Sequence, residues 1–305
     1  MPRLLRVATR GSALARWQAD RVAERLHAAG FPSELVLVQT TGDTRTDVPL
    51  HAIGGQGVFV KEVQQAVLDG RADLAVHSAK DLPSSLDTPG LVLASVPERG
   101  DPRDALVGCP LADLRPGVTV ATGSVRRQAQ LEELVPGLRF VDLRGNIQTR
   151  LAKVPEGGAV VMAAAALQRL DLAAEIAEIL DPEVMVPQVA QGALAVECRA
   201  DDAATRELVG SIDDPVARAA VVAERAYLER LGGGCNLPVG AYARVAGDGT
   251  VELEALLASL DGRIALRASD RGRDPEALGT AVADQLLDAQ GGRLLLADLD
   301  ALAAS

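Results

Sequence analysis

The chain has 305 residues, 48% of them apolar and only 2% aromatic, and carries a net charge of −11. That length predicts about two domains, or three small ones, with cores built from Val, Leu, Ala and Ile. The charge argues against nucleic acid as a partner, because a binder of phosphate backbones carries a basic footprint.

Three widely spaced cysteines (Cys109, Cys198 and Cys235) form no CxxC, which argues against a disulfide framework or a zinc site and for a reducing compartment. No apolar leader-like segment or membrane-length run is present, so a cytoplasmic, soluble protein with no membrane partner is expected; a monomer is expected as well. Of the 31 basic residues only Lys61, Lys80 and Lys153 are lysines. Arg grips a carboxylate with two parallel hydrogen bonds where Lys offers a point charge, so Lys80 stands out as one of few amines.

The first two-thirds alternate short apolar runs with amphipathic stretches, which predicts α/β architecture. Residues 4–9 read as a strand, Ser12 caps a helix that reaches Leu26 and stops at Gly30, and residues 34–39 read as a second strand. A helix over 58–68 ends at Gly70. The strand over 73–77 then delivers Ser78, Lys80 and Asp81 to its C-terminal end, where ligands bind in open parallel sheets. A second unit follows, with strands at 118–121, 138–143 and 159–164, a helix from Ser124 to Leu134 and another capped by Asn146. Ala8-Thr9-Arg10-Gly11-Ser12 recurs loosely as Ala121-Thr122-Gly123-Ser124, each time at a strand-to-helix turn, a weak sign of two similarly built domains facing one cleft. Residues 187–199 read as a return crossing whose strand at 193–197 rejoins the first sheet. A long helix over 215–231 leads to a glycine run. Strands at 239–245, 251–259 and 263–268, joined by turns containing Asp-Gly, then form a three-stranded antiparallel sheet, followed by a helix over 275–289.

Helix N-termini attract anions through free N–H groups and the helix dipole. Arg10 and Ser12 lie at one such junction, Thr122, Ser124, Arg126 and Arg127 at a second, and Arg144 with Arg150 at a third. Any single Arg is ordinarily a solvated surface charge. Five at such junctions in an acidic chain point to a polyanionic, carboxylate-bearing ligand. Asp81 reads either as half of a surface ion pair with Lys80 or as a general acid/base tuned by its surroundings. His77 reads as a hydrogen-bonded strand residue, since three scattered His residues give no metal set and no triad spacing. Cys235 follows Gly232-Gly233-Gly234, a tether free to take positive φ. It reads as a reactive or modified thiol on a mobile arm, or else as a small buried apolar side chain.

Several phrases together resemble the porphobilinogen deaminase (hydroxymethylbilane synthase) family. They are Ala8–Ser12, Gly54-Gly55-Gln56-Gly57-Val58-Phe59-Val60-Lys61-Glu62, Val76-His77-Ser78-Ala79-Lys80-Asp81-Leu82-Pro83, Arg99-Gly100-Asp101-Pro102-Arg103-Asp104, Gly123-Ser124-Val125-Arg126-Arg127-Gln128, Leu143-Arg144-Gly145-Asn146, Gln191-Gly192-Ala193 and Gly233-Gly234-Cys235-Asn236-Leu237-Pro238. The resemblance runs from the first strand into the last domain. It implies two periplasmic-binding-protein-like α/β domains (1–96 with 190–212, and 97–189) and a smaller α+β domain (213–305).

It also implies a transferase of tetrapyrrole (haem) biosynthesis. Four porphobilinogen molecules are joined, with loss of ammonia through an azafulvene electrophile, to an enzyme-bound dipyrromethane primer, and water then releases hydroxymethylbilane. By the same resemblance Cys235 carries the dipyrromethane through a thioether and Asp81 is the catalytic acid. Ser78, Lys80, Asp81, Thr122, Ser124, Arg126, Arg127, Arg144 and Gln191 hold the cofactor. Arg10, Ser12, Phe59, Arg144, Arg150 and Arg169 hold substrate, and no metal takes part.

The chain departs from the family at Gln56, where a lysine is common, at Ala52 beside His51, where a basic residue is common, and at Asn236, where Gln is common. The first two bear on lid electrostatics. Three rivals are less compatible with the residues. A small-anion receptor leaves the third domain and its cysteine unexplained. A pyridoxal-phosphate enzyme built on Lys80 wants an aromatic-lined pocket, and the chain has six aromatic residues. A cysteine hydrolase wants a His in relation to Cys235.

Overall fold

The computed structural model describes residues 3–40, 59–85, 88–233 and 237–303. The chain divides into two compact units, Met1–Gly100 with Gly192–Arg218 and Asp101–Gln191 with Ala219–Ser305.

Strand β1 (Leu5–Arg10) feeds helix α1 (Ala13–Ala28), whose start is fixed by Ser12: its Oγ accepts from the Ala15 N–H at 3.3 Å. The helix ends at Ala29, and Gly30 follows at φ +92°. Strand β2 (Ser33–Val38), helix α2 (Lys61–Leu68), strand β3 (Leu74–Ser78) and strand β4 (Leu91–Ser95) complete the first passage through this unit. The α2 reading over 58–68 included Val58, which lies outside the described residues. Helical hydrogen bonding starts two residues after Phe59.

In the second unit β5 (Asp104–Val107) is followed by β6 (Thr119–Ala121), α3 (Val125–Leu134), β7 (Arg139–Val141), α4 (Ile147–Leu151), β8 (Ala159–Ala163), α5 (Ala164–Arg169) and β9 (Ile176–Leu180). The chain then re-enters the first unit as β10 (Leu194–Arg199) and α6 (Ala203–Gly210), and α7 (Pro215–Arg230) carries it back into the second. There β11 (Val239–Val245), β12 (Val251–Ala258) and β13 (Ala265–Gly272) form an antiparallel meander, followed by α8 (Pro275–Asp284) and α9 (Gly292–Ala303). The reading of one helix over 275–289 is corrected in part: the α-helix stops at Asp284, and residues 285–289 widen into a π-turn.

The two larger sheets have one topology. Their strand orders are β2-β1-β3-β10-β4 and β7-β6-β8-β5-β9. In each, the first three strands are parallel and the fourth runs antiparallel to both neighbours. That fourth strand is, in both cases, the one that arrives from the other unit: β10 after β9, β5 after β4. The weak repeat around Arg10–Ser12 and Thr122–Ser124 therefore marks equivalent positions, the ends of β1 and β6.

Side-chain alternation splits the first sheet between two cores. Leu5 and Val7 of β1 join Ala19, Val22 and Leu26 of α1 on one face, while Ala8 joins Val63, Ala66 and Val67 of α2 on the other. Each fully buried Val or Leu contributes about 1.5–3 kcal/mol, so this double facing fixes the register that brings Ser78 to a strand end. The second sheet is built likewise, with Leu131 of α3 against Leu106, Val120 and Val161, and Leu167 of α5 against Val107, Val160 and Met162.

Candidate active site

In the first unit the site candidates gather where β1 and β3 end side by side. β3 closes with Ser78, and Ala79–Asp81 forms a single 3₁₀ turn held by the Ala79 N–H donating to Ala193 O at 3.0 Å and the Leu82 N–H to Ala79 O at 3.3 Å. Ser78 Oγ is held by Gln18 of α1, whose Nε2 lies 2.8 Å away and whose Oε1 lies 3.2 Å away. Lys80 and Asp81 are half-buried beside it. At the end of β1, the Arg10 guanidinium stacks 4.1 Å above the Phe59 ring. That contact joins two residues 49 positions apart and turns the arginine into a flat, partly desolvated donor plate.

Beneath the turn lies a buried polar group. His77 Nε2 lies 3.1 Å from Glu197 Oε2, off hydrogen-bond alignment, on adjacent strands β3 and β10. Gln64 Nε2 donates to both Glu197 oxygens at 3.1 and 2.9 Å. His77 thus sits in the strand, as read, but its Nε2 makes no hydrogen bond, and the neighbouring Glu197 went unnoticed in the sequence.

In the second unit the equivalent junction follows β6. Thr122 is buried; its Oγ1 accepts from the Ser124 N–H at 3.2 Å, and Ser124 Oγ caps α3 at the Arg127 N–H, 3.5 Å away. Arg126 and Arg127 follow in the first helical turn, but their side chains turn inward. Arg126 is 2% exposed and Arg127 7%. Both converge on Asp104, at 0% exposure the first residue of β5. Arg126 Nη2 donates to Oδ2 at 2.7 Å; Arg127 donates to Oδ1 from Nη2 at 2.6 Å and from Nε at 3.0 Å. Gln191 Nε2 adds a fourth hydrogen bond to Oδ1 at 2.9 Å. Burial alone would raise the Asp104 carboxyl, but the two guanidiniums and Gln191 hold it far below the usual carboxylate range. Arg126 Nη1 and Arg127 Nη1 go to the carbonyls of Val186 and Val161, and Arg126 Nε is buried with no hydrogen-bond partner.

Arg144 and Arg150 belong to the next junction. Gly145 takes φ +110°, and a Cβ there would meet Thr149 Cγ2 at 2.7 Å, so the turn requires glycine. Asn146 caps α4 at the Thr149 N–H, 2.9 Å away. Arg150 Nε donates to Gly145 O at 2.8 Å, and Arg144 Nε lies 3.5 Å from Asp142 Oδ2. Arg169 ends α5, where burial pulls its guanidinium down to about 10. At that value the guanidinium remains charged near neutral pH, and a carboxylate brought to it would offset the cost of burying the charge.

Cys235, with Gln56, Ala52, His51 and Asn236, lies outside the described residues. The sequence supplied Arg126, Arg127 and Gln191 as separate donors and missed the residue they share. Its signal was an Asp opening an otherwise apolar strand, Asp104-Ala105-Leu106-Val107.

A carboxylate-bearing group suits these donors. The Asp104 cluster holds two guanidiniums against one carboxylate, and the buried Arg126 Nε still needs an acceptor. The comparisons agree. Residues 5–207 match the model of the porphobilinogen deaminase dipyromethane cofactor binding domain, and residues 218–288 that of the porphobilinogen deaminase C-terminal domain. The porphobilinogen deaminase of Roseiflexus sp. (strain RS-1) is 49% identical over 97% of this chain and 100% of its own, and that of Acidothermus cellulolyticus 48% over 96% and 92%. Among solved structures the methionine binding protein MetQ superposes with a TM-score of 0.44 at 14% identity, over 68% of this chain and 89% of its own. On the two family models and the two deaminase relatives, which span nearly the whole sequence, the chain belongs to the porphobilinogen deaminase family.

Proposed function

We propose that this chain deaminates porphobilinogen and joins four such units to a dipyrromethane on Cys235, releasing the linear tetrapyrrole hydroxymethylbilane by hydrolysis. The observation that carries the reading is a turn bearing Lys80 and Asp81 at the end of one strand and, within each unit, arginine donors at the strand-to-helix junctions that follow β1 and β6. Dipyrromethane, when bound, supplies the nucleophilic pyrrole carbon that the deaminated unit joins.

This chain's residues do the rest. Asp81 donates a proton to the departing aminomethyl nitrogen, so that ammonia leaves rather than an amide ion. Ionised, it offsets the positive charge left on the pyrrole, best in a half-buried position where water competes poorly, and it regains its proton when the α-proton is lost after the new carbon–carbon bond forms. The main-chain hydrogen bonds of the Ala79–Asp81 turn set its direction in advance, and Gln18 presets Ser78. Thr122, Ser124, Arg126, Arg127, Arg144 and Gln191, and also Ser78 and Lys80, are the residues assigned to the cofactor. Arg10 and Ser12, with Phe59 as the surface on which Arg10 is flattened, bind substrate carboxylates, as do Arg150 and Arg169. Attachment turns each condensation from a bimolecular into an effectively intramolecular event.

The family names and acidic charge support porphobilinogen as the small-molecule partner, in place of nucleic acid. Among the described residues no helix is long and apolar enough to cross a membrane. The sparse cysteines without a CxxC support a reducing, cytoplasmic compartment, and a monomer is part of the same reading. Intact-protein mass spectrometry tests the reading. The purified chain is expected to exceed its sequence mass by two pyrrole units, and Cys235→Ser to lose both the increment and turnover. A parent chain of bare sequence mass that still forms tetrapyrrole would refute it.

A further inference from the structure

Asp104 is a fully buried charged group of the second unit that the proposed chemistry does not use. It makes four hydrogen bonds, all from side chains proposed to meet the cofactor: one from Arg126, two from Arg127 and one from Gln191. Those three residues come from distant parts of the chain, two from the first turn of α3 and one from the last residue before the chain returns to the first unit. A guanidinium that binds a ligand from solvent pays rotamer entropy to be ordered; one already clamped does not. Asp104 itself is anchored by the β5 ladder, where it pairs with Ala163 of β8 and Leu180 of β9.

We propose that Asp104 is a positioning residue: one buried carboxylate locks Arg126, Arg127 and Gln191 into a single preformed donor array for the carboxylates of the attached pyrroles, without itself touching them. The inference rests on the functional reading above. The locked array retains one surplus positive charge, two guanidiniums against one carboxylate, and one buried unsatisfied donor, Arg126 Nε. Both are what a carboxylate ligand would complete. A simple electrostatic sink would instead improve with more positive charge. A preformed array loses function when its clamp is cut, even though the net charge rises.

The test compares parent, Asp104→Asn, Asp104→Glu, Arg127→Gln and the Asp104→Asn/Arg127→Gln double variant, each as the full chain. The loaded fraction is read by intact mass, the fold by far-UV circular dichroism and thermal melting, and porphobilinogen turnover as separate kcat and KM. Asp104→Asn is expected to lower the loaded fraction by roughly ten-fold or more. The double variant is expected to load no worse than the poorer single one, because the residues act as one unit. Asp104→Glu restores the charge but displaces it by a methylene, so it should recover melting temperature more than loading. A merely structural Asp104 would make loading and melting temperature recover together, and that result overturns the proposal. So does an Asp104→Asn chain that loads like the parent or better, or a double variant whose defects multiply. Should Asp104→Asn fail to fold, the Arg127→Gln and double variants, which relieve the uncompensated cation, still give the comparison. A parent with no mass increment would fail the functional reading; a loaded parent matched by Asp104→Asn fails this inference alone.

Discussion

Replacing Asp81 by Asn separates chemistry from scaffold. The carboxyl is half-buried at the end of a turn whose shape is set by main-chain hydrogen bonds, Ala79 N–H to Ala193 O and Leu82 N–H to Ala79 O, neither of which uses the Asp81 side chain. Asn has the same shape but can neither give up a proton near neutral pH nor carry a negative charge. Losing a positioned acid typically costs about 10²–10⁴-fold in rate, which is about 3–5 kcal/mol on the barrier. The loss should fall on kcat, because the arginines proposed to bind substrate carboxylates are untouched. A change at a half-buried side chain that makes none of the turn's hydrogen bonds should cost about 1 kcal/mol or less of folding stability. Single-turnover ammonia release from porphobilinogen by the loaded enzyme measures the step directly, with thermal melting run in parallel. A variant that releases ammonia within ten-fold of the parent would show that another group supplies the proton. A large fall in melting temperature would show that Asp81 belongs to the scaffold.

Phe59→Leu removes the ring under Arg10, an interaction worth about 0.5–2 kcal/mol, so KM for porphobilinogen should rise by roughly two- to thirty-fold with kcat nearly unchanged; an unchanged KM would mean that the stack does not serve binding. Acid should destabilise the chain through Asp73 and Asp104. Burial would raise both carboxyls, but hydrogen bonds from Arg6 and Arg3 outweigh it at Asp73, and Arg126, Arg127 and Gln191 do so at Asp104, so both are lowered when folded. Groups lowered on folding contribute fully above the unfolded value, about 3.9, and lose that contribution as pH falls toward the folded one. Asp73→Asn should therefore weaken the chain by about 1–3 kcal/mol at pH 7 and flatten the stability–pH curve below about pH 4. Urea melts across that range check it, and a slope unchanged by the substitution would contradict the assignment.

The legible parts of this fold are those written in local chemistry. Ser12, Ser124 and Asn146 each cap the helix expected of them, because a hydroxyl or amide placed before an amphipathic run has one cheap use. The Asp-Gly turns and alternating runs gave the three-stranded meander. The strands β4, β5 and β9 and the helix α6 went unread, since a four- or five-residue apolar run carries too little periodicity to separate strand from core loop. At the site, Ser78, Lys80 and Asp81 were legible because a strand pattern leads straight into them. The Arg10–Phe59 stack and the Gln18–Ser78 bond were not, since each joins residues 49 or 60 positions apart.

Arg126 and Arg127 show where pattern reading goes astray in a useful way. Two arginines at a helix N-terminus, in a chain of charge −11, suggest forks turned toward a ligand. The structure instead seats both around an internal aspartate and leaves them almost without exposure. A helix dipole alone would oppose two cations in its first turn, so something must hold them there. Asp104 supplies that counter-charge at 2.6–2.7 Å, from a strand the sequence did not reveal. Because a single carboxylate cannot neutralise two guanidiniums, the arrangement remains short of one anion in a place that excludes water. Such a deficit is stable only while the protein around it is rigid, and it is relieved by a ligand that brings its own carboxylate. The same pairing thus gives stability and affinity one origin, and Asp104→Asn should disturb both.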